Sequence, residues 1–393
     1  MSEASLTLPR SQAATRGRGL ILDPVLIGIM LSILLLGLVM VTSASISIAS
    51  HDGADPFSYV KQQGTLALGG LFLAAILCAM PTEVLQKIAT PLLAIACVLL
   101  LLVLVPGIGH EVNGSRRWLR LAGFNLQVSE VARVLVLCWV ADYCVRREKE
   151  LRGTFSGLWK PLGLLTLFSG LMMVEPDFGA ATVLFAAGFG LLYLAGARLR
   201  WVVLSVLIAC GMFGLLLVSA SYRMRRLTSF LDPWEHAFDS GFQLTQSLIA
   251  IGRGEWFGVG LGESVLKLRY LPEAHTDFLF AVLAEELGLM GVLLTLGLFL
   301  ALVWRVFFVA RLASEAGLKF ASYLAAGFGM WVGIQALINI GVNMGVLPTK
   351  GLTLPFMSYG RSSLLVTLAW FGIVMRVHHE ARVSARGSAS VPK

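Results

Sequence analysis

The stretch LPEAHTD, residues 271–277, sets a histidine and a carboxylate two positions apart at the mouth of a long apolar run. A carboxylate held there can take the proton of a hydroxyl nucleophile. Pro272 fixes the entry to the following segment. Thr276 is a good helix N-cap, and Asp277 falls in the first helical turn, so an aspartate that merely satisfies a helix N-terminus is the competing reading. Glu285 and Glu286 lie deeper. Helical periodicity turns Glu285 roughly 80° from Asp277 and puts Glu286 on the opposite face. The three acids do not form one cluster, and Asp277, with His275 beside it, is the best-placed acid/base candidate.

Ionisable groups inside apolar segments are costly and mark function by default. In NLQVSEVARVLVL, Gln127, Glu130 and Arg133 recur every three residues and span about 120° of one helix face. Glu130 and Arg133 can pair with each other. Gln127 extends the same face, which favours a polar strip lining a cavity. Gln335, Asn339 and Asn343 recur every four residues in a second stripe. Its first reading is hydrogen bonding between helices, and its second is lining the same cavity. TLPFMSYGRSS, residues 353–363, reads as a bent outer loop entering the last helix. Irregular backbone at membrane depth is tolerated only inside protein or beside water.

These groups need elements to hold them. The 393 residues are 57% hydrophobic and 14% charged. Soluble domains carry roughly a quarter charged residues. A bilayer crossing takes about 20 apolar residues. The expected fold is therefore all-α and polytopic, with about ten transmembrane helices. Candidate crossings are 20–47, 62–80, 88–108, 126–145, 160–174, 178–196, 201–220, 278–304, 320–345 and 362–376. Residues 1–19 read as a cytoplasmic tail and 20–380 as the transmembrane domain. Residues 221–277 form one large periplasmic loop between helices 7 and 8, and 381–393 form a second cytoplasmic tail. Pro161, among other prolines, is expected to mark a helix boundary.

Basic residues set orientation. RREKELR (residues 146–152) and the basic C-terminal stretch pin both termini to the cytoplasm. Two outer loops break the rule. One is Gly109–Phe124, with Arg116 and Arg117 beside Trp118, and the other is the long loop. Cations on that face suit lipid headgroups or an anionic, phosphorylated ligand. The five cysteines have no metal-ligand spacing. There is no P-loop, so no nucleotide-driven pump is indicated. No D-x-D appears, which argues against a metal-bound nucleotide-sugar donor. GVGLG (258–262) is expected to be a flexible loop.

NGSRRWL, EPDFGA, RRLTSFLDPW, GFQLTQSLIAIGRGEWFGVGLGES, LPEAHTDFLFAVLAEELG and PTKGLTLPFMSYG stand here in the order seen in the SEDS family (shape, elongation, division and sporulation). The chain resembles that family over about residues 20–380, and its division branch more than its elongation branch. The resemblance implies a ten-helix bacterial inner-membrane glycosyltransferase. Such an enzyme polymerises lipid II, the undecaprenyl-diphosphate-linked disaccharide peptide, into peptidoglycan at the division septum. It implies as partners a cognate class B penicillin-binding protein transpeptidase (FtsI-type), divisome regulators and membrane lipids, and no nucleic acid.

The resemblance makes Asp277 the catalytic residue. Expected contacts to the diphosphate or sugar are Arg133, Glu130, Gln127, Arg116, Arg117, Trp118, His275, Thr276, Lys350 and Ser358. A divalent cation, Mg or Mn, is compatible with a diphosphate leaving group, and the sequence leaves the metal open. The fourth crossing reads QVSEVAR where the family has Q-P-x-E-x-x-K, and SYGR replaces SYGG at Arg361. A lipid II transporter and a non-enzymatic division scaffold are the alternative functions.

Overall fold

The computed structural model describes residues 20–389 except 52, 54, 113–114, 122–123, 202, 206, 208–210, 212–227, 268–270 and 350. The expected crossing at 201–220, Cys210, Lys350 and the N-terminal tail fall wholly or mainly outside the described residues. The described chain is helical: α1 (Pro24–His51), α2 (Ser58–Ala79), α3 (Thr82–Lys87), α4 (Ala89–Leu104), α5 (Val128–Arg146), α6 (Glu148–Gly153), α7 (Phe155–Val174), α8 (Phe178–Leu194), α9 (Phe242–Gly254), α10 (Leu279–Glu315), α11 (Lys319–Asn343) and α12 (Arg361–Ala389). By length and apolar composition α1, α2, α7, α10 and α11 each suffice to cross a membrane. Helices α4 and α8 are apolar but shorter.

Three departures from the sequence-based layout have physical causes. Helix α7 starts at Phe155 and carries Pro161 inside it. Thr154 caps its start by accepting from the Gly157 amide at 3.3 Å. The proline has no N–H for the Gly157 carbonyl, and the Tyr143 hydroxyl donates to that carbonyl instead at 2.8 Å. The loop 109–127 folds as an antiparallel sheet, β1 (Gly109–Val112), β2 (Ser115–Leu121) and β3 (Phe124–Gln127), in that order. It pairs Trp118 with Gln127 and Arg120 with Asn125.

The third departure is in α10, which is broken at Gly288 (φ 63°, ψ −162°). The amides of Val259 and Gly260 donate to the freed carbonyls of Glu285 and Glu286, at 2.9 and 3.2 Å. The amides of Leu289 and Met290 donate in turn to the carbonyls of Glu255 and Trp256, at 2.9 and 3.1 Å. Backbone groups in a membrane must be satisfied internally, and this splice does so. GVGLG is thus partly packed structure and not a free loop. A Cβ on Gly258 would lie 2.1 Å from the Glu286 carbonyl oxygen.

Small residues let the bundle close. A Cβ on Gly372 of α12 would meet the Ala74 carbonyl of α2 at 2.2 Å. One on Gly37 of α1 would meet the Met357 backbone at 2.5 Å. Close backbone approach of this kind is how membrane helices gain packing without a hydrophobic drive. The aromatic centre of the bundle joins α11, α12 and the bent loop, with Trp331 stacked on Trp370 at 5.2 Å and Phe328 packed edge-on to Phe356. Cys78, Cys97, Cys138 and Cys144 are free thiols in this apolar frame.

Candidate functional site

Asp277 lies two residues ahead of α10, partly exposed. The helix starts later than the sequence suggests, and neither Thr276 nor Asp277 caps it. The Thr276 hydroxyl turns back to Glu273, donating to its carboxylate at 2.7 Å and contacting its carbonyl at 3.2 Å. The capping work is done from α11, where the Asn343 side-chain oxygen accepts from the Ala281 amide at 3.1 Å. The side-chain amides of Asn339 and Asn343 donate to the Asp277 carbonyl at 2.8 and 3.0 Å. The polar stripe of α11 thus does serve interhelical hydrogen bonding, and it fixes the Asp277 backbone while leaving the carboxylate uncommitted. No described residue donates a hydrogen bond to that carboxylate. It faces Gly351 so closely that a Cβ there would sit 3.1 Å from Asp277 Oδ2.

Burial pushes the Asp277 carboxyl up to about 7, with Glu273 and Asp177 adding to the rise and Arg117 opposing it. His275 packs against Tyr59 and Tyr359, with ring centroids at 5.0 and 5.5 Å. Burial lowers its pKa, so the ring is neutral at physiological pH. Its buried Nδ1 has no hydrogen-bond partner among the described residues.

Arg117 comes from β2. Alternate residues of a strand share a face, so Arg117 lies on the side of Ser115, whose hydroxyl donates to the Glu175 carbonyl at 2.9 Å. That contact sets the strand against the turn between α7 and α8. At the same turn Asp177 caps α8, accepting from the Ala180 amide at 3.0 Å. Its other oxygen accepts from the Gln127 side-chain amide at 2.9 Å and the Ser129 hydroxyl at 2.6 Å. Arg116 and Trp118 occupy the opposite strand face. Arg116 pairs there with Glu111 at 3.3 Å, and the structure does not bring it to Asp277.

Glu130 and Arg133 are buried and ion-paired with each other. Arg133 also donates to the Gln335 side-chain oxygen at 3.1 Å and lies over the Trp331 ring at 5.4 Å. Gln335 then donates to the Thr353 carbonyl at 2.9 Å. The strip therefore divides: Gln127 turns to Asp177, while Glu130 and Arg133 turn to each other and to α11. Ser358 is buried and accepts from the Leu354 amide at 2.9 Å, holding the bent loop. Arg361 donates to Gln62 and to the Tyr359 hydroxyl at 2.9 and 3.1 Å, bracing the start of α12. Lys350, next to Gly351, lies outside the described residues.

Sequence reasoning passed over Glu175, Asp177 and Gly351. The first two were visible as acids flanking Pro176 between two apolar runs. Among the described residues no three His, Cys, Asp or Glu side chains are grouped to hold a metal. The arrangement pairs an uncommitted carboxylate, poised near neutrality, with an arginine within electrostatic reach. That pair suits proton abstraction from a hydroxyl beside an anionic leaving group.

The family model of cell cycle proteins, FtsW/RodA/SpoVE, matches residues 24–383. The probable peptidoglycan glycosyltransferase FtsW of Thioalkalivibrio sulfidiphilus is 54% identical over 89% of this chain and 88% of its own length. Its namesake in Methylococcus capsulatus is 46% identical over 96% of this chain and 97% of its own. One solved structure, described as showing structural coordination of polymerization and crosslinking by a peptidoglycan synthase complex, superposes with a TM-score of 0.73. Its sequence identity is 31%, over 92% of this chain and 98% of that one. The rod shape determining protein RodA of Thermus thermophilus gives 0.65 at 30% identity, over 91% of this chain and 96% of its own. This chain belongs to the FtsW/RodA/SpoVE family.

Proposed function

We propose that this chain is a peptidoglycan glycosyltransferase that polymerises lipid II at the outer face of the cell membrane, with Asp277 as general base. Asp277 takes the proton from the acceptor sugar's 4-hydroxyl. The hydroxyl oxygen forms the new bond to the donor's anomeric carbon with inversion. The bond from that carbon to the phosphate oxygen breaks, and its electron pair leaves with undecaprenyl diphosphate. Arg117 balances part of the departing charge. Inverting transfer needs one base and no second carboxylate nucleophile. The observation that carries this reading is the Asp277 carboxylate itself: its backbone is clamped by Asn339 and Asn343, yet its oxygens accept from no described residue.

A divalent cation serving this reaction would take most of its ligands from the diphosphate, for want of a three-residue donor group in the described protein. The relatives' names support a peptidoglycan glycosyltransferase, and the synthase-complex neighbour, described by polymerization and crosslinking, supports a crosslinking partner. A class B penicillin-binding transpeptidase in that role is part of this proposal. Septal location, divisome regulators and cytoplasmic termini belong to this proposal as well. A transporter reading rested on the polar faces of α5 and α11, and those side chains bond largely to one another and to backbone. The test is purified protein with its transpeptidase in detergent, where there is no membrane to cross. Glycan chains lengthening from lipid II support the transferase. Movement of labelled lipid II across sealed vesicles without polymer in detergent contradicts it.

A further inference from the structure

Glu175 is fully buried, and neither of its carboxyl oxygens has a hydrogen-bond partner among the described residues. The charge of Arg117 reaches it, and the Arg117 Nε is buried and has no hydrogen-bond partner among the described residues either. An unpaired buried carboxyl is expensive, so a side chain left this way at a reaction site calls for a cause. Two anchors fix the pair. Ser115, on the Arg117 face of β2, is bonded to the Glu175 backbone at 2.9 Å. Asp177, two residues on, is held by Gln127, Ser129 and the Ala180 amide. The charged groups acting on Glu175 are Asp177 from the head of α8 and Arg117 from β2, and Arg117 and Asp177 act on Asp277 as well. One guanidinium therefore acts on two carboxyls, one of which is the proposed base.

Resting on the transferase reading above, we propose that Glu175 is a positioning residue of the transfer reaction that sets how much of the Arg117 charge is available to the departing diphosphate. In its protonated form Glu175 makes no claim on Arg117, which is then free to meet the phosphate oxygens. In its ionised form it draws the guanidinium to itself, and the leaving group loses its counter-charge. Burial first, then Asp177, push the Glu175 carboxyl up to about 8, against the pull of Arg117. Near neutral pH the free-handed form prevails. As pH rises past that value, Arg117 is withdrawn and the diphosphate is held less well.

The experiment is lipid II polymerisation in detergent, by wild type and Glu175→Gln with the transpeptidase partner, from pH 6.5 to about 9.5. Glutamine keeps the size and cannot ionise. The expected result is that wild type loses activity several-fold on the alkaline side, chiefly through a rising KM for lipid II, and that the variant's ratio of activity at pH 9 to pH 7 is several-fold higher. Rescue in Glu175→Gln of the alkaline KM alone, with the acid limb from Asp277 still present, marks a role through Arg117. A merely structural Glu175 would shift thermal stability and leave the shape of the profile alone. Should the glutamine variant fail to insert, Glu175→Met provides a second neutral side chain for the same comparison. A folded variant of either kind whose alkaline limb matches wild type overturns the proposal. Absence of polymer from wild type itself counts against the transferase reading and not against Glu175.

Discussion

At the residue scale, the candidate site is an aspartate whose main chain is fixed by Asn339 and Asn343 and whose side chain is held by no described residue. Asn343 does two jobs: its oxygen accepts from the Ala281 amide, and its nitrogen donates to the Asp277 carbonyl. Replacing Asn343 with Ala removes both bonds, leaving the Asp277 carbonyl to Asn339 and the Ala281 amide to the Phe278 carbonyl, and small displacements of the proposed base are costly. The expected outcome is a kcat lower by about 10- to 100-fold with little change in KM, measured by polymer formation. The carboxylate carries a stability signature too. Its folded pKa, about 7, lies above the ordinary 3.8. The folded state thus holds its proton more tightly than the unfolded chain, and stability is lost as pH rises from about 4 through 7. Asp277→Asn has no such loss. Its thermal midpoint should exceed that of wild type at pH 8, with the gap shrinking toward pH 5. A constant gap across that range would show that the carboxyl is not strained by burial.

At the element scale, helices with long apolar runs were legible in the sequence, because about 20 such residues have few alternatives. Asp277 stood out in the sequence as the proposed base, by its chemistry at the mouth of an apolar run. What periodicity could not show was which partner each polar face would meet. Gln127, Glu130 and Arg133 share a face on α5, yet the turn before α8 takes the first and α11 takes the last. The sheet β1–β3 was hidden because its pairing depends on a short hairpin carrying charged residues. The break at Gly288 was hidden because its compensating bonds come from residues 255–260, some thirty positions upstream. Buried pairs give a direct test of these contacts. Arg133→Met should leave Glu130 buried without its partner and cost about 3–5 kcal/mol of stability, read as a lowered thermal midpoint in detergent. Adding Glu130→Gln should recover much of that loss. The double charge swap separates roles: kept activity marks an internal pair, and lost activity in a normally inserted protein marks contact with the substrate phosphate.

At the scale of the whole molecule, a helical bundle in lipid carries a polar site only where protein encloses it. The bent loop meets the segment before α10 through the Tyr359 amide and the His275 carbonyl, and β2 meets the turn before α8 through Ser115 and Glu175. The sheet should face the periplasm and the RREKELR segment the cytoplasm. Cysteines placed at the exposed Arg120 and Lys149 check this. A membrane-impermeant thiol reagent should label Arg120→Cys in cells with an opened outer membrane, and Lys149→Cys only after the inner membrane is breached. The central claim is that Asp277 removes the acceptor's proton. It is tested most directly by comparing lipid II polymerisation by wild type and Asp277→Asn, each purified with the transpeptidase partner. The account predicts that the variant folds, binds its partner and makes no glycan. Glycan made by the variant at the wild-type rate would contradict it.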